Sequence, residues 1–346
     1  MRDREIIEYL ESKGIKNVLR SIELIKKSIY FNKLNLKGLT IFTEAASGEY
    51  IYTPIIAAMA GAEKVYAKTN DSKYASKEDV KRDTLLLAKL CKIENTVEVV
   101  FDKEKINEAD VITNLGFVRP IDKNTIDMMK KDAVISYMCE AWEVREEDVD
   151  INYCKKNGIR IMGTNEDYLG LDVFNFSGPL CLRMLFDSGL EVYKNKIVIL
   201  SNDKFGKVIF EQLIKITDDV SLINNINNQN KKMIKNADVL IIADYTENKY
   251  FIGKTKAYIS AKELKDLSKF ITVLQFAGNV DLEDLKENNI KYYPEYKVGS
   301  FRMGKTLAYI GPKPVIDLHC AGLKVGEIMH RDYSEAKNNK LCQLII

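Results

Sequence analysis

Two stretches of this chain are written to the same plan, and that repetition limits the folds open to it more than any single motif. In the first, Ala109-Asp110-Val111-Ile112 is followed by the helical pattern IDKNTIDMMKKD, the apolar run AVISYM, a second helical pattern EEDVDINYCKKNG and the short run IRI. In the second, Ala237-Asp238-Val239-Leu240 is followed by ISAKELKDLSKF, ITVLQF, VDLEDLKENN and IKYY. Short apolar runs alternating with amphipathic stretches are the pattern of βαβ units, whose right-handed crossovers build parallel sheets with helices on both faces. The expected fold class is α/β: two tandem Rossmann-like units with parallel sheets.

Each repeat has a lead-in. Residues 3 to 33 read as two helices split at Gly14, the second with Val18, Ile22, Ile25 and Ile29 on one face. A core strand, Leu39-Thr40-Ile41-Phe42, runs into Thr43-Glu44-Ala45-Ala46-Ser47-Gly48, and a helix with Ala57, Ala58 and Ala60 ends at Gly61. Lys64 to Lys68 is a second strand ending in Thr69-Asn70-Asp71-Ser72; a helix near 77 to 91 and a strand at Val97 to Val100 complete three βα steps.

Between the repeats lies the join, Gly158 to Gly206. A strand at Ile159 to Met162 leads through Gly163-Thr164-Asn165 into a hinge helix expected over about 168 to 187, with Val173, Phe174, Phe176, Leu180, Met184 and Leu185 at helical spacing. Then come the strand Lys196 to Leu200, the turn Ser201-Asn202-Asp203-Lys204-Phe205-Gly206 and an amphipathic helix. Near the end, Pro312 and Pro314 open a helix carrying Ala321, Gly322 and Gly326, small residues suited to close packing, and the residues from Ser334 read as a loose tail. The expected division is 1–166, 167–311 and a returning helix with tail at 312–346.

The chain has 346 residues with 46% hydrophobic composition, enough for two domains with full cores. Its 52 basic and 50 acidic side chains leave a net charge of +2 and are interspersed, which argues against a nucleic-acid or membrane surface. The amino terminus, MRDREIIEYLESKG, is charged rather than signal-like, and the six cysteines lie far apart with no C-x-x-C pair, so a cytoplasmic protein without disulfides or zinc is expected.

The hinge, with its strand, long helix, second strand, glycine turn and helix, resembles that of the D-2-hydroxyacid dehydrogenases and their relatives, the formate and phosphoglycerate dehydrogenases and adenosylhomocysteinase. The resemblance covers roughly residues 105 to 295, by pattern more than by identity. It implies an NAD(P)-dependent oxidoreductase or lyase-like enzyme acting on a small polar metabolite between two domains, with NAD or NADP on the second unit at Ser201, Asn202, Asp203, Phe205, Gly206 and Asp244. The family fingerprint G-x-G-x-x-G keeps only its last glycine here, Gly206; Ser201 and Asp203 stand where the others belong. An anionic Asp203 should repel a diphosphate seated on the helix amino terminus.

Ligands of open parallel sheets bind past the carboxyl ends of the strands, which selects the remaining candidates. Glu140 and Arg145 flank Trp142 in a loop rich in functional groups, Arg119 precedes Pro120 and can clamp a carboxylate, and His319 is the helix histidine open to acid–base work; these are the catalytic candidates. Glu44, Ser47 and Asp71 are the substrate or nucleotide candidates of the first unit, Asp71 standing near the spacing of a ribose ligand. Thr43-Glu44 to Gly48 and AGAEKVYAKTND also look like the first two strands of a methyltransferase, so an S-adenosyl or other nucleotide compound bound to the first unit is an alternative. A Rossmann-derived binding protein without chemistry is another. Expected partners are a small-molecule substrate and a second copy of the chain as a homodimer, with no nucleic acid and no membrane.

Overall fold

The computed structural model describes residues 1–346, which divide into two compact units: residues 1–173 with 311–346, and residues 174–310. No helix is long and apolar enough to cross a membrane.

The first unit opens with helices α1 (Asp3–Ser12) and α2 (Val18–Asn32). Its strands and helices then alternate as β1 (Thr40–Glu44), α3 (Tyr52–Met59), β2 (Lys64–Lys68), α4 (Lys77–Leu90), β3 (Val97–Val100), β4 (Val111–Thr113), α5 (Lys123–Met128), β5 (Val134–Tyr137), α6 (Ile151–Lys156) and β6 (Arg160–Thr164). The second unit holds α7 (Ser177–Asp187), β7 (Ile197–Leu200), α8 (Lys204–Leu213), β8 (Val220–Ile223), α9 (Asn228–Ile234), β9 (Val239–Ala243), β10 (Tyr250–Ile252), β11 (Ala257–Ile259), α10 (Ala261–Leu267), β12 (Thr272–Ala277), β13 (Asn279–Val280), α11 (Leu282–Glu287) and β14 (Lys291–Tyr293). The chain returns to the first unit with α12 (Pro312–Arg331), α13 (Tyr333–Asn338) and β15 (Cys342–Leu344).

The first sheet has the order β15-β6-β5-β4-β1-β2-β3 and the second β14-β12-β9-β7-β8. Aligned on their repeats, the second sheet is the first without counterparts of β3 and of the edge strand β15, so the shared plan does not extend to strand number. The Ala-Asp-Val repeat does the same work in both. Asp110 accepts the N–H of Thr40 at 2.8 Å and Asp238 that of Lys196 at 2.7 Å, each joining the foot of the repeat's first strand to the strand beside it. The backbone N–H groups of Asp110 and Asp238 return the bond to the carbonyls of the same two residues. A carboxylate that satisfies an N–H at a strand's start helps fix which strand pairs with which.

Strands buried on both faces explain the unbroken apolar runs: Ile197 to Leu200 and Val239 to Ala243 are wholly buried, with separate hydrophobic clusters on either side of the second sheet. In the first unit α12 lies directly against the sheet. A side chain at Gly322 would meet Met138 Sδ at 2.4 Å, and one at Gly326 would meet Val111 Cγ1 at 2.4 Å, so the two glycines set the closeness of helix and strands.

Three features depart from expectation. The hinge helix begins at Ser177 rather than near 168, because Gly170 and Asp172 take positive φ and the chain loops back, Val173 N donating to Glu166 O. The carboxyl terminus is no tail: Cys342–Leu344 pairs antiparallel with β6, edging an otherwise parallel sheet. A small parallel sheet, β11-β10-β13, also flanks the second unit, where the sequence pattern gave no strands.

Candidate functional site

In the first sheet the strand order reverses between β1 and β4, in the second between β7 and β9, and in open α/β folds the crevice at such a point is where ligands bind. The two turns that open these crevices are built differently.

In the first unit, Thr43 and Thr113 share a hydroxyl–hydroxyl hydrogen bond of 2.9 Å across the reversal. The chain beyond β1 passes through Ala45, Ala46 and Ser47 to Gly48, which has φ +66°, and then into a short 3-10 turn that continues as α3. The N–H groups of Ala46, Ser47 and Gly48 have no protein acceptor, and Gly48 is exposed. Successive free N–H groups ahead of a helix are the arrangement that receives an anionic group.

Charged side chains gather beside this turn. Glu44 is 5% exposed and accepts the N–H of Phe117 at 2.8 Å. Burial raises its pKa, outweighing the Phe117 N–H and the nearby Arg119 and Lys68 charges. Its register partner on β2 is Lys68, which is 6% exposed and has no ion-pair or hydrogen-bond partner. Burial lowers the Lys68 pKa against the attraction of Asp102 and Glu44. Next along the chain, Thr69 is fully buried and its hydroxyl has no partner. Buried polar groups are nearly always bonded, so the lone Thr69 hydroxyl, next in the chain to Lys68, makes this strand end a candidate binding position. Glu49 has a carboxylate oxygen buried without a partner, and burial pushes its pKa up to about 7.

The other sequence candidates of this unit divide. Ser47 belongs to the open turn. Asp71 is exposed and accepts the N–H of Lys77 at 2.9 Å, lying beyond the strand end that Lys68 and Thr69 occupy. Arg119, joined to Pro120 by a cis peptide, reaches Asp148 at 2.6 Å, and Arg145 reaches the same carboxylate oxygen at 3.2 Å. Glu140 accepts the N–H of Glu166 at 3.0 Å and the amide of Gln343 at 2.6 Å, while Gln343 accepts the N–H of Ala141 at 2.8 Å. In this loop, read from the sequence as rich in functional groups, Glu140 is thus served by the chain's own carboxyl-terminal strand. His319 is 4% exposed, shares 2.7 Å with Thr53 Oγ1 through Nδ1, and burial lowers its pKa to about 4, which keeps the imidazole neutral.

In the second unit the turn after β7 uses up its own donors. Ser201 Oγ accepts the N–H groups of Asp203 and Gly206, both at 3.2 Å, and Asp203 Oδ1 accepts that of Phe205 at 2.8 Å. Asp244 Oδ2 accepts from the Asn202 backbone at 2.6 Å and from its amide at 3.0 Å. Asp203 Oδ2 accepts the N–H of Tyr245 at 2.6 Å. Burial raises the Asp203 pKa to about 6, the N–H donors opposing and Asp244 adding to the rise. Phe205 points inward onto Phe174 and Tyr245, and a side chain at Gly206 would meet Ser201 Cβ at 2.3 Å. These residues do not fit a dinucleotide diphosphate: the N–H groups it would need are taken, and two carboxylates stand where its charge would sit.

Sequence reasoning missed Lys68 and Thr69. The strand-end rule points at this stretch, but the spacing of a ribose ligand favours Asp71 over these two.

No protein-family model matches this chain, and no curated protein matches it in sequence. Solved structures do. The A subunit of dipicolinate synthase from Bacillus halodurans aligns over 86% of this chain and 98% of its own with a TM-score of 0.52 at 10% identity. The corresponding chain from Bacillus subtilis aligns over 88% and 99% with a TM-score of 0.52 at 12% identity. The chain shares their fold. A glyoxylate reductase from Paecilomyes thermophila aligns over 85% and 96% with a TM-score of 0.44 at 10% identity. At these identities the likeness to the two dipicolinate synthase chains is one of architecture, and it agrees with the two-unit α/β fold expected from the repeat and the hinge.

Proposed function

We propose that this protein is a nucleotide-dependent enzyme, an NAD(P)-dependent oxidoreductase of a small polar metabolite, whose nucleotide rests on the first unit at the β1–α3 turn. The observation that carries the reading is the contrast between free and occupied donors: Ala46, Ser47 and Gly48 offer N–H groups at the first unit's reversal point, while the second unit's turn keeps its donors for itself. The resemblance of the hinge to that of the D-2-hydroxyacid dehydrogenases supports the reaction class. The chemistry a nicotinamide supplies when bound is hydride transfer.

The chain's own residues would do the rest. The N–H groups of residues 46–48 would hold a phosphate, and the Thr69 hydroxyl would meet a sugar hydroxyl past β2. Lys68, which makes no direct hydrogen bond or ion pair, would bind an anionic or carbonyl oxygen of the substrate, and Glu44, its pKa raised by burial, would hold or release a proton. The unpaired state of all six cysteines supports a reducing compartment such as the cytoplasm.

An S-adenosyl compound is the second reading, favoured by the Glu44 to Gly48 turn and the β2 pattern it shares with methyltransferases. Melting the pure protein with NADH, NADPH and S-adenosylmethionine tests both. The proposal expects a dinucleotide at a hundred times its Kd to stabilise the fold by about 2.7 kcal/mol, and Lys68→Met to weaken that effect. Stabilisation by S-adenosylmethionine alone selects the second reading, and stabilisation by none of the three removes both.

A further inference from the structure

The crevice of the second unit lies between the turns that follow β7 and β9, and each lip reaches across to the other. From the β7 side Asp203 takes the N–H of Tyr245 at 2.6 Å; from the β9 side Asp244, fully buried, takes the N–H of Asn202 at 2.6 Å. Asp244 is itself held by Thr246, whose N–H donates at 2.7 Å and whose hydroxyl donates at 2.5 Å to Oδ1. Hydrogen bonds from N–H to carboxylate are among the stronger protein hydrogen bonds. Both carboxylates also bond within their own turns, so neither can turn away without leaving N–H groups bare.

We infer that Asp203 and Asp244 form a built-in anionic clasp that holds this crevice closed and excludes phosphate-bearing ligands from the second unit. The clasp stands in for a bound phosphate. It supplies acceptors to the N–H groups a diphosphate would otherwise take, and its charge repels any further anion. The two residues are therefore specificity determinants, deciding whether the second unit can take a phosphate-bearing ligand. Ser201 completes the arrangement by filling the space of the first fingerprint glycine and accepting two of the turn's N–H groups.

This inference rests on bonds inside the second unit and not on the reading of the first, so the two can fail separately. The test uses the full chain with inorganic pyrophosphate and NADH as probes. In the wild type, hydrogen exchange at the amides of residues 202–206 should be unchanged by either probe at millimolar concentration. In the Ser201→Gly/Asp203→Gly double variant, checked for folding by circular dichroism, pyrophosphate should bind at least about tenfold more tightly than in the wild type. Protection of residues 202–206 in the wild type would overturn the clasp, as would a folded double variant with no gain. If the double variant does not fold, the wild-type exchange measurement still decides.

Discussion

The turns after β1 and β7 occupy the same place in two sheets that share a plan, and they differ in what happens to their backbone donors. After β1 the N–H groups of residues 46–48 are left without protein partners, beside a buried lysine and a buried hydroxyl that also lack partners. After β7, Ser201, Asp203 and Asp244 absorb the N–H groups of residues 202, 203, 205 and 206. The difference teaches that a Rossmann-like sheet supplies the position of a site and its turn supplies the occupancy. Two copies of one architecture can therefore hold opposite roles.

Acid should expose the contrast most strongly. His319 in the first unit titrates near 4 in the fold against 6.5 unfolded, so its contribution is fully present above pH 6.5 and is lost as pH falls through 4. Asp203 titrates near 6 in the fold against 3.8 unfolded, so its contribution is present below pH 3.8 and is lost as pH rises through 6. Each is on the order of 3 kcal/mol by the usual conversion of a pKa shift. Urea unfolding between pH 4 and 7 should show His319→Gln removing a loss on acidification, and Asp203→Asn removing a loss on alkalinisation. Slopes of the same sign would break the comparison.

A smaller effect concerns the glycines. Gly206→Ala places a methyl 2.3 Å from Ser201 Cβ and should cost about 1–3 kcal/mol or more, as overpacking does. Gly48→Ala meets nothing within 4 Å and should cost roughly 1 kcal/mol, through its positive φ alone. A larger loss at Gly48 than at Gly206 would mean that the first turn is the tighter one.

The smallest expected change is a gain. Lys68→Met removes a charge whose burial outweighs the attraction of Asp102 and Glu44, and should stabilise the free protein by on the order of 1 kcal/mol while weakening the ligand's effect on melting, the signature of a residue kept for function. A destabilised Lys68→Met protein would instead show the ammonium to be part of the packing.

Much of the fold could be read from the chain because it is locally encoded. Ala-Asp-Val announces a strand whose aspartate ties it to its neighbour, and the small residues of α12 announce a close packing surface. Contacts distant in sequence were less legible. The antiparallel Cys342–Leu344 edge depends on β6, more than 170 residues away, and Glu140 finds Gln343 across a similar gap. At the candidate site, the spoiled fingerprint at Ser201 and Asp203 was visible and its electrostatic meaning could be stated. The bonds from Asp203 to Tyr245 and from Asp244 to Asn202 were not visible, because they join turns that only the folded sheet brings together. Lys68 escaped because a lysine ending a short strand reads as a solvated edge until the fold buries it.

The central claim is that the nucleotide sits on the first unit's turn and not on the second's. A crystal structure with whichever of NADH, NADPH or S-adenosylmethionine raises the melting temperature most would test it directly. The account predicts the ligand's phosphate or carboxylate against the N–H groups of Ala46, Ser47 and Gly48, its ribose near Thr69, and the Asp203–Tyr245 and Asp244–Asn202 bonds unbroken. A ligand phosphate against the N–H groups of Asn202 to Gly206, with those two bonds opened, would contradict it.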